Sequence, residues 1–388
     1  MFFRFLAWET FMREGLRRTS LYDLHVSSGA KIVEFHGFEL PIWFSSIQEE
    51  HLATRSSAGI FDVSHMGLFR FIGEGAKSWL SSVSTQDYSK FEPGSCGYCH
   101  FLDQKGHIID DMIFAVSSDS EVLGVPNSSM VGTMYDWLYQ LLPEDGSVRI
   151  EDVSDDVSII ALQGPLSGPI VKELLGEGNL VGRFRCQEII ENNLGISGWI
   201  QGTGYTGESG FEIFLDDVDS RDLWGALIDH PDVTPVGLGA RDTLRLEKGY
   251  LLSGQDFLWP EIGSEERFPE GFLSRTTSET AVPYGLDLLH DFIGKPSLLS
   301  SMESESRLWG MFCLERGPSP RPGHPVYDGP SEESEIIGYV TSGAPSPSLD
   351  MAGIALGYLK SRSVGDEVWI QSNSRRRVKS EVRVTPFL

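Results

Sequence analysis

Cysteine is scarce in this sequence, with four in 388 residues, so no disulfide framework holds the chain together. Two of the four fall in Cys96-Gly97-Tyr98-Cys99-His100, the spacing used for covalent haem attachment. That chemistry belongs to an exported, oxidising compartment, and no good secretory signal precedes the motif. The segment reads instead as a strand carrying buried thiols. Haem is not expected, and no second Cys/His pair has the spacing of a zinc site, so no metal is expected either. Positive charge is also short: 31 Lys and Arg stand against 56 Asp and Glu, a formal net charge of −25. Such a balance argues against nucleic acid and against an anionic membrane surface, and any anionic ligand must meet a local cluster of Arg or Lys. No apolar run approaches the ~20 residues of a membrane-spanning helix, so the protein is expected to be soluble. The glycine-rich stretch Gly204-Tyr205-Thr206-Gly207-Glu208-Ser209-Gly210 lacks the Gly-Lys-Ser/Thr ending and the following helix of a phosphate loop. No nucleophilic triad suggests itself, and no internal repeat is visible.

What is present is ordinary folded-protein material, 40% hydrophobic and 11% aromatic, in a chain long enough for two or three domains. Met1 to Arg18 mixes Phe, Leu and Trp with Arg; it reads as an amphipathic helix, a transit peptide or a start read too early, with Met12 as the alternative. Periodicity predicts helices over Tyr22–Ser28, Gln48–Ser57 with Gly59 as C-cap, Gly75–Val83, Ser128–Leu142, Pro169–Leu175, Ser220–Ile228 and Gly239–Lys248. Strands are expected over Lys31–Phe35, followed by a turn and loop, and over Phe61–Ile72 as one run. Further strands are expected over Val157–Gln163 and in hairpins over Gly97–Val116 and Gly195–Leu215. Trp259–Ser278 reads as a long loop. From about Ser306 short strands punctuated by Pro and Gly predict a small all-β domain, a barrel.

The chemistry concentrates in few places. In Gly106-His107-Ile108-Ile109-Asp110-Asp111-Met112-Ile113-Phe114 two carboxylates interrupt an apolar strand. Strand alternation sends them to opposite faces, so they are not expected to work as a facing pair. Each needs a partner or a ligand, and either is a candidate general base or orienting acid. Glu212 likewise sits between Phe211 and Ile213 on a strand. Arg241 shares a helix face with Arg245, four residues on. It would serve Glu212 as a buried countercharge, or the two together would hold a planar, nitrogen-rich ligand.

Taken in order, a set of motifs resembles one family. They are Phe35-His36-Gly37, Gly59-Ile60-Phe61-Asp62-Val63-Ser64-His65-Met66, the Asp110-Asp111 strand, Ala161-Leu162-Gln163-Gly164-Pro165, the Gly204–Ile213 stretch, the run from Gly237 to Gly249, Asp291-Phe292-Ile293-Gly294-Lys295 and Val340–Leu349. Together they are similar to the aminomethyltransferases of the glycine cleavage system, the T-proteins, from about Thr19 to Leu388. The resemblance implies an α+β protein in a three-domain clover-leaf. Two interleaved α+β domains (19–300) would form the folate-binding region and a small C-terminal β-barrel would follow (306–388). It implies tetrahydrofolate as co-substrate and lipoylated H-protein as partner. It makes Asp111 the catalytic aspartate near folate N10, leaving Asp110 structural. Glu212 and Arg241 would hold the pterin, and Tyr98, Met66, Asn127 and Tyr205 would line the cavity. A cytoplasmic location follows, or the mitochondrial matrix in a eukaryote.

Some positions depart from the family pattern. Leu123 stands where many relatives carry an aromatic, so the cavity wall is expected to differ there. Leu252-Ser253-Gly254-Gln255-Asp256 replaces the usual Leu-Tyr-Gly-x-Glu/Asp. Two alternatives share the fold: a tetrahydrofolate-dependent demethylase of a small methylated compound, and a folate-binding iron–sulfur or tRNA maturation factor. The latter's Lys-Gly-Cys-Tyr-x-Gly-Gln motif lacks its cysteine here, at Lys248-Gly249-Tyr250. The acidic surface predicts a local basic patch for partners, with Arg375, Arg376 and Arg377 as candidates.

Overall fold

The computed structural model describes residues 15–373 and 376–388. The expectations for Met1 to Glu14, including Met12, and for Arg375 lie outside the described residues. The molecule is a multi-domain α+β structure built on two open sheets and a closed barrel. The first sheet has six strands in the order Cys186–Glu188, Gly198–Gln201, Gly210–Leu215, Ser158–Gln163, Ala58–Asp62 and Val233–Pro235. All its pairings are antiparallel except the last. The second has five antiparallel strands in the order Ser95–Leu102, Ile108–Ser118, Glu121–Val125, Phe69–Ile72 and Arg149–Asp152. Chain order interleaves them: the segment from Phe69 to Asp152 builds the five-stranded sheet between two strands that pair in the other. Six strands from Ser306–Cys313 to Arg376–Arg383 close the barrel.

Local chemistry explains the helix starts. Ser46 accepts from the Glu49 amide at 3.2 Å and donates to its carboxylate at 3.0 Å, a reciprocal cap of about 1 kcal/mol that opens Ile47–Ser56. Asp216 accepts from the Asp219 amide at 2.8 Å and opens Asp217–Ile228. Leu238–Lys248 ends on Gly249, whose φ of 77° is the left-handed turn that glycine adopts without strain. This helix buries Ala240 and Leu244 against the six-stranded sheet. The opposite face of that sheet packs on Ser167–Leu175 and Asp217–Ile228 through Ile170, Leu223 and Trp224. The five-stranded sheet buries Phe69, Phe71 and Phe114 beneath Ala76–Val83 and Val131–Gln140.

Several local expectations are corrected. The run Phe61–Ile72 is not one strand: Ala58–Asp62 and Phe69–Ile72 belong to different sheets, with the intervening turn closed by the Met66 amide on the Val63 carbonyl at 3.0 Å. Gly59 does not cap the preceding helix, which ends at Ser56 with Ser57 as its C-cap. It lies within the strand Ala58–Asp62, where a Cβ would stand 2.4 Å from the Thr54 hydroxyl. The loop expected after His36-Gly37 is a strand, Phe38–Trp43, paired with Lys31–Phe35. Pro41 hides it in the sequence, but a two-stranded ribbon tolerates proline. Of the expected basic patch, Arg376 donates to the Arg316 carbonyl. Arg377 donates to the Gly329 carbonyl at 3.1 Å and lies over the Tyr327 ring, so both guanidinia serve the barrel's own turns.

Buried polar clasps tie the barrel to the rest. Arg245 is fully buried and bonds Asp256 at 2.9 Å, Asp242 at 2.8 Å and Ser342 of the barrel at 2.9 Å. Glu247 accepts from Ser348 at 3.0 Å, from Arg55 at 2.9 Å and from the Ser346 hydroxyl, and its Oε2 lies 3.0 Å from His51 Nε2. Ions so deeply buried are tolerated only when fully partnered. Among the described residues no helix is long and apolar enough to cross a membrane.

Candidate functional site

Between the two sheets lies a cavity of about 680 Å³, within the size range of small-molecule sites. All seven residues singled out from the sequence line it: Asp111, Tyr98 and Asn127 from the five-stranded sheet side, and Glu212, Arg241, Tyr205 and Met66 from the other. The sheets are stitched below it where the Cys96 amide donates to the Phe184 carbonyl at 2.8 Å and the Cys186 amide to the Gly94 carbonyl at 3.0 Å. Cys96 and Cys99 enter different apolar clusters, as alternation on a strand requires, and all four cysteines are buried and free.

The hairpin of Ser95–Leu102 and Ile108–Ser118 positions one wall. Its register sets His100 opposite Asp111 and Tyr98 opposite Ile113, and residues two apart on a strand share a face. Tyr98 therefore stands beside Asp111 and donates to its Oδ2 at 2.7 Å. Asn127, at the start of the turn before Val131–Gln140, donates to Asp111 Oδ1 at 2.8 Å and to the Asp111 carbonyl at 3.1 Å. The same amide donates to Asp110 Oδ1 at 2.9 Å, and Ser253 donates to that oxygen at 2.7 Å. The two acids thus meet through Asn127, which corrects the expectation that alternation parts them. A register shift between Phe101 and Leu102 leaves Ile109 as an extra residue beside them, and a bulge of this kind re-aims neighbouring side chains. Only Asp111 lines the cavity; Asp110 is buried behind it with Oδ2 unpartnered.

The environment sets the protons. Burial pushes the Asp111 carboxyl above its ordinary range, with the bonds from Tyr98 and Asn127 pulling back. Asp110 rises well above it, through burial first and the charge of Asp111 second. Burial lowers His100 and His65 to about 3, so both imidazoles are neutral. The Tyr98 phenol is pushed well up by burial and by Asp111.

The opposite wall offers a carboxylate and a cation that are not paired with each other. Glu212 Oε2 accepts from the Thr203 hydroxyl and from Gln201 at 3.3 Å, leaving Oε1 without a protein donor among the described residues. The Arg241 guanidinium lies 4.7 Å over the Tyr205 ring and makes no hydrogen bond or ion pair among the described residues. Burial lowers its pKa while Glu212 supports its charge. The expected ion pair is therefore not made, and both of its partners line the cavity. Tyr205 is anchored through its hydroxyl on the Leu251 carbonyl and stacks on Tyr250 at 5.8 Å. Gly285 closes the cavity over Tyr98: a Cβ there would stand 2.7 Å from the ring and 2.8 Å from the carbonyl oxygen. Leu123, expected in the wall, turns instead into the packing between the sheets, and Val125 lines the cavity.

Two residues that sequence reasoning missed complete the Asp110–Asp111 neighbourhood. Ser253 comes from the stretch that departs from the family pattern. His100 is signalled by nothing except the Tyr98-Cys99-His100 alternation. Outside the cavity, Asp87, Asp287 and His290 come together, but Lys90 already sits 3.0 Å from each carboxylate.

Comparison with known proteins matches two family models in tandem: the GCVT N-terminal domain over residues 21–259 and the glycine cleavage T-protein C-terminal barrel domain over residues 307–388. A protein of Bacillus cytotoxicus named aminomethyltransferase is 35% identical over 96% of this chain and 98% of its own length. One of Bacillus mycoides with the same name is 36% identical over the same shares. The crystal structure of glycine cleavage system aminomethyltransferase T from Bartonella henselae superimposes with a TM-score of 0.84 at 28% identity, over 96% of this chain and 98% of that one.

Proposed function

The chain belongs to the glycine cleavage T-protein family of aminomethyltransferases, and from that premise we propose that it transfers a one-carbon unit from the aminomethylated dihydrolipoyl arm of H-protein to tetrahydrofolate. Bound tetrahydrofolate supplies nitrogens N5 and N10, between which the methylene ends, while their two hydrogens leave with the sulfur and the amine to give dihydrolipoyl thiol and ammonia. The residues present fit such a ligand. A pterin presents a flat face and an N–H edge, and the cavity offers the Tyr205 and Tyr98 rings, the free Oε1 of Glu212 and the unpaired guanidinium of Arg241. A carboxylate accepting two N–H bonds fixes a planar ring in position and orientation.

Asp111 is the catalytic residue in this reading. Its carboxyl, held from two sides by Tyr98 and Asn127, orients the folate and takes or stabilises the proton near N10. A raised pKa brings the group closer to working pH, where a proton acceptor is most effective. Met66 and Tyr205 pack the ring and exclude water. Residues 19–300 form the folate-binding region and 306–388 the barrel domain. We place the reaction in the cytoplasm, where reducing conditions suit four free buried thiols.

The observation that carries the reading is the meeting of an unpaired Arg241, a half-free Glu212 and Asp111 in one cavity. The test is glycine cleavage reconstituted with H-protein, the decarboxylase and dihydrolipoyl dehydrogenase. Turnover is expected only with tetrahydrofolate present. Folded protein that gives no folate-dependent turnover overturns the proposal.

A further inference from the structure

His100 is 1% exposed and does not line the cavity, yet its Nε2 lies 2.9 Å from the Tyr98 hydroxyl and its Nδ1 lies 3.0 Å from the Thr277 hydroxyl. Burial keeps the ring neutral, so it carries one N–H for two polar contacts. The Tyr98 oxygen in turn has one hydrogen to share between His100 and Asp111. We propose that His100, acting through Tyr98, is a positioning residue that sets the direction of the hydrogen bond to Asp111 and thereby whether Asp111 presents a carboxylate or a carboxyl to the substrate. This rests on the reading of Asp111 as the catalytic acid–base.

Two hydrogen placements satisfy every contact. In the first, Thr277 donates to Nδ1, Nε2–H donates to Tyr98, and Tyr98 donates to Asp111 Oδ2. Asn127 already donates to Oδ1, so Asp111 accepts on both oxygens, the pattern a carboxylate satisfies. In the second, Nδ1–H donates to Thr277, Tyr98 donates to Nε2, and the Tyr98 oxygen accepts from a protonated Asp111. A histidine tautomer and the charge of Asp111 are thus tied together through one phenol. With any Asp111 proton held on Oδ2 beside Tyr98, no other arrangement leaves the four groups satisfied, and an unsatisfied buried donor or acceptor is costly. Asn127 cannot relieve the constraint by turning its amide over, because its nitrogen also serves Asp110 and the Asp111 carbonyl.

The direct test is ¹⁵N NMR of the imidazole in the full chain, which reports the tautomer without requiring activity. Wild-type protein with Asp111 ionised should show His100 protonated at Nε2. In Asp111→Asn the new amide donates to Tyr98, so His100 should switch to Nδ1–H. The same tautomer in both proteins overturns the proposal. Kinetics give the second arm. In single-turnover transfer, His100→Leu should slow the step about tenfold through lost orientation, with folate KM within about twofold. His100→Gln, whose amide can donate to Tyr98, should recover most of the rate. In a Tyr98→Phe background His100→Leu should add nothing, because there is no phenol left to direct. An undiminished effect in that background, or loss of folate affinity without loss of rate, refutes the role. Inactive wild-type protein would sink the functional reading alone, since the tautomer switch is read independently.

Discussion

Asp111→Asn is the sharpest perturbation the cavity allows. The replacement keeps shape and can keep every hydrogen bond: the new carbonyl accepts from Asn127, and the new amide donates to a Tyr98 turned towards His100. What it removes is the negative charge and the capacity to take a proton. Proton transfer by a positioned group contributes about 10²–10⁴-fold to a rate, or about 3–5.5 kcal/mol at ~1.4 kcal/mol per factor of ten. Turnover of aminomethylated H-protein with tetrahydrofolate, followed by ammonia release, should fall by that factor. Folate affinity should change only a few-fold, since Glu212 and Arg241 are untouched. The sign of the pH effect also follows. Burial raises the Asp111 carboxyl above its ordinary 3.8, so the working carboxylate is lost as pH falls through the raised value, and Asp111→Asn should lack that acid limb. A rate within tenfold of wild type, or an equal loss from Asp110→Asn, refutes the assignment.

The remaining expectations are simpler to check. Glu212→Gln weakens bonds to a charged acceptor worth about 1.5–3 kcal/mol, so tetrahydrofolate should bind about 10–150-fold more weakly by fluorescence titration, and a change under threefold argues against pterin contact. Asp110 is buried with one oxygen unpartnered and a raised pKa, so the folded state holds a proton that the unfolded chain releases. Stability is then lost as pH climbs from 3.8 through the raised value. Asp110→Asn should melt higher than wild type at neutral pH, with the margin closing in acid; a margin that widens in acid contradicts the sign. Arg245→Met strips the partner from buried Asp256 and should cost about 3–5 kcal/mol in denaturant unfolding. Wild-type stability in that variant would show that the clasp contributes nothing.

Much of the fold was readable from local pattern, because helix caps, turns and alternation are local. The helices from Tyr22 to Lys248 and the hairpin around Asp111 fall within a few residues of their periodicity. Pairing between distant segments was not readable. Phe61 to Ile72 looks like one strand because its apolar character is continuous, and only the destination of each half, in separate sheets, reveals the break. Cavity residues were recognisable by type: a carboxylate on an apolar strand at Asp111 or Glu212 signals a partner or ligand. Their mutual geometry was not. Asn127 reaches both acids past a bulge at Ile109, and the open Glu212–Arg241 pair depends on Thr203, Gln201 and Tyr205 from three further positions. Leu123 was misplaced for a related reason: it shares a strand face with Val125, but its register sets it beside Ala115 rather than the cavity-lining Ile113, one step further along the strand.

The interleaving of the two sheets imposes an order on synthesis. Strand Ala58–Asp62 leaves the ribosome 96 residues before its neighbour Ser158–Gln163 begins (158 − 62), an interval of about 5–20 s at ~5–20 residues per second. Throughout that wait it has two bare edges, and its fully buried residues have no sheet to enter. Within the same interval the chain from Phe69 to Asp152 contains every strand of the five-stranded sheet and can close it. The Asp111 wall is therefore available early, while Glu212 and Arg241 arrive later, onto a wall already built. A nascent chain stalled between these points would expose the edges of Ala58–Asp62, making that strand the segment a chaperone has most reason to cover.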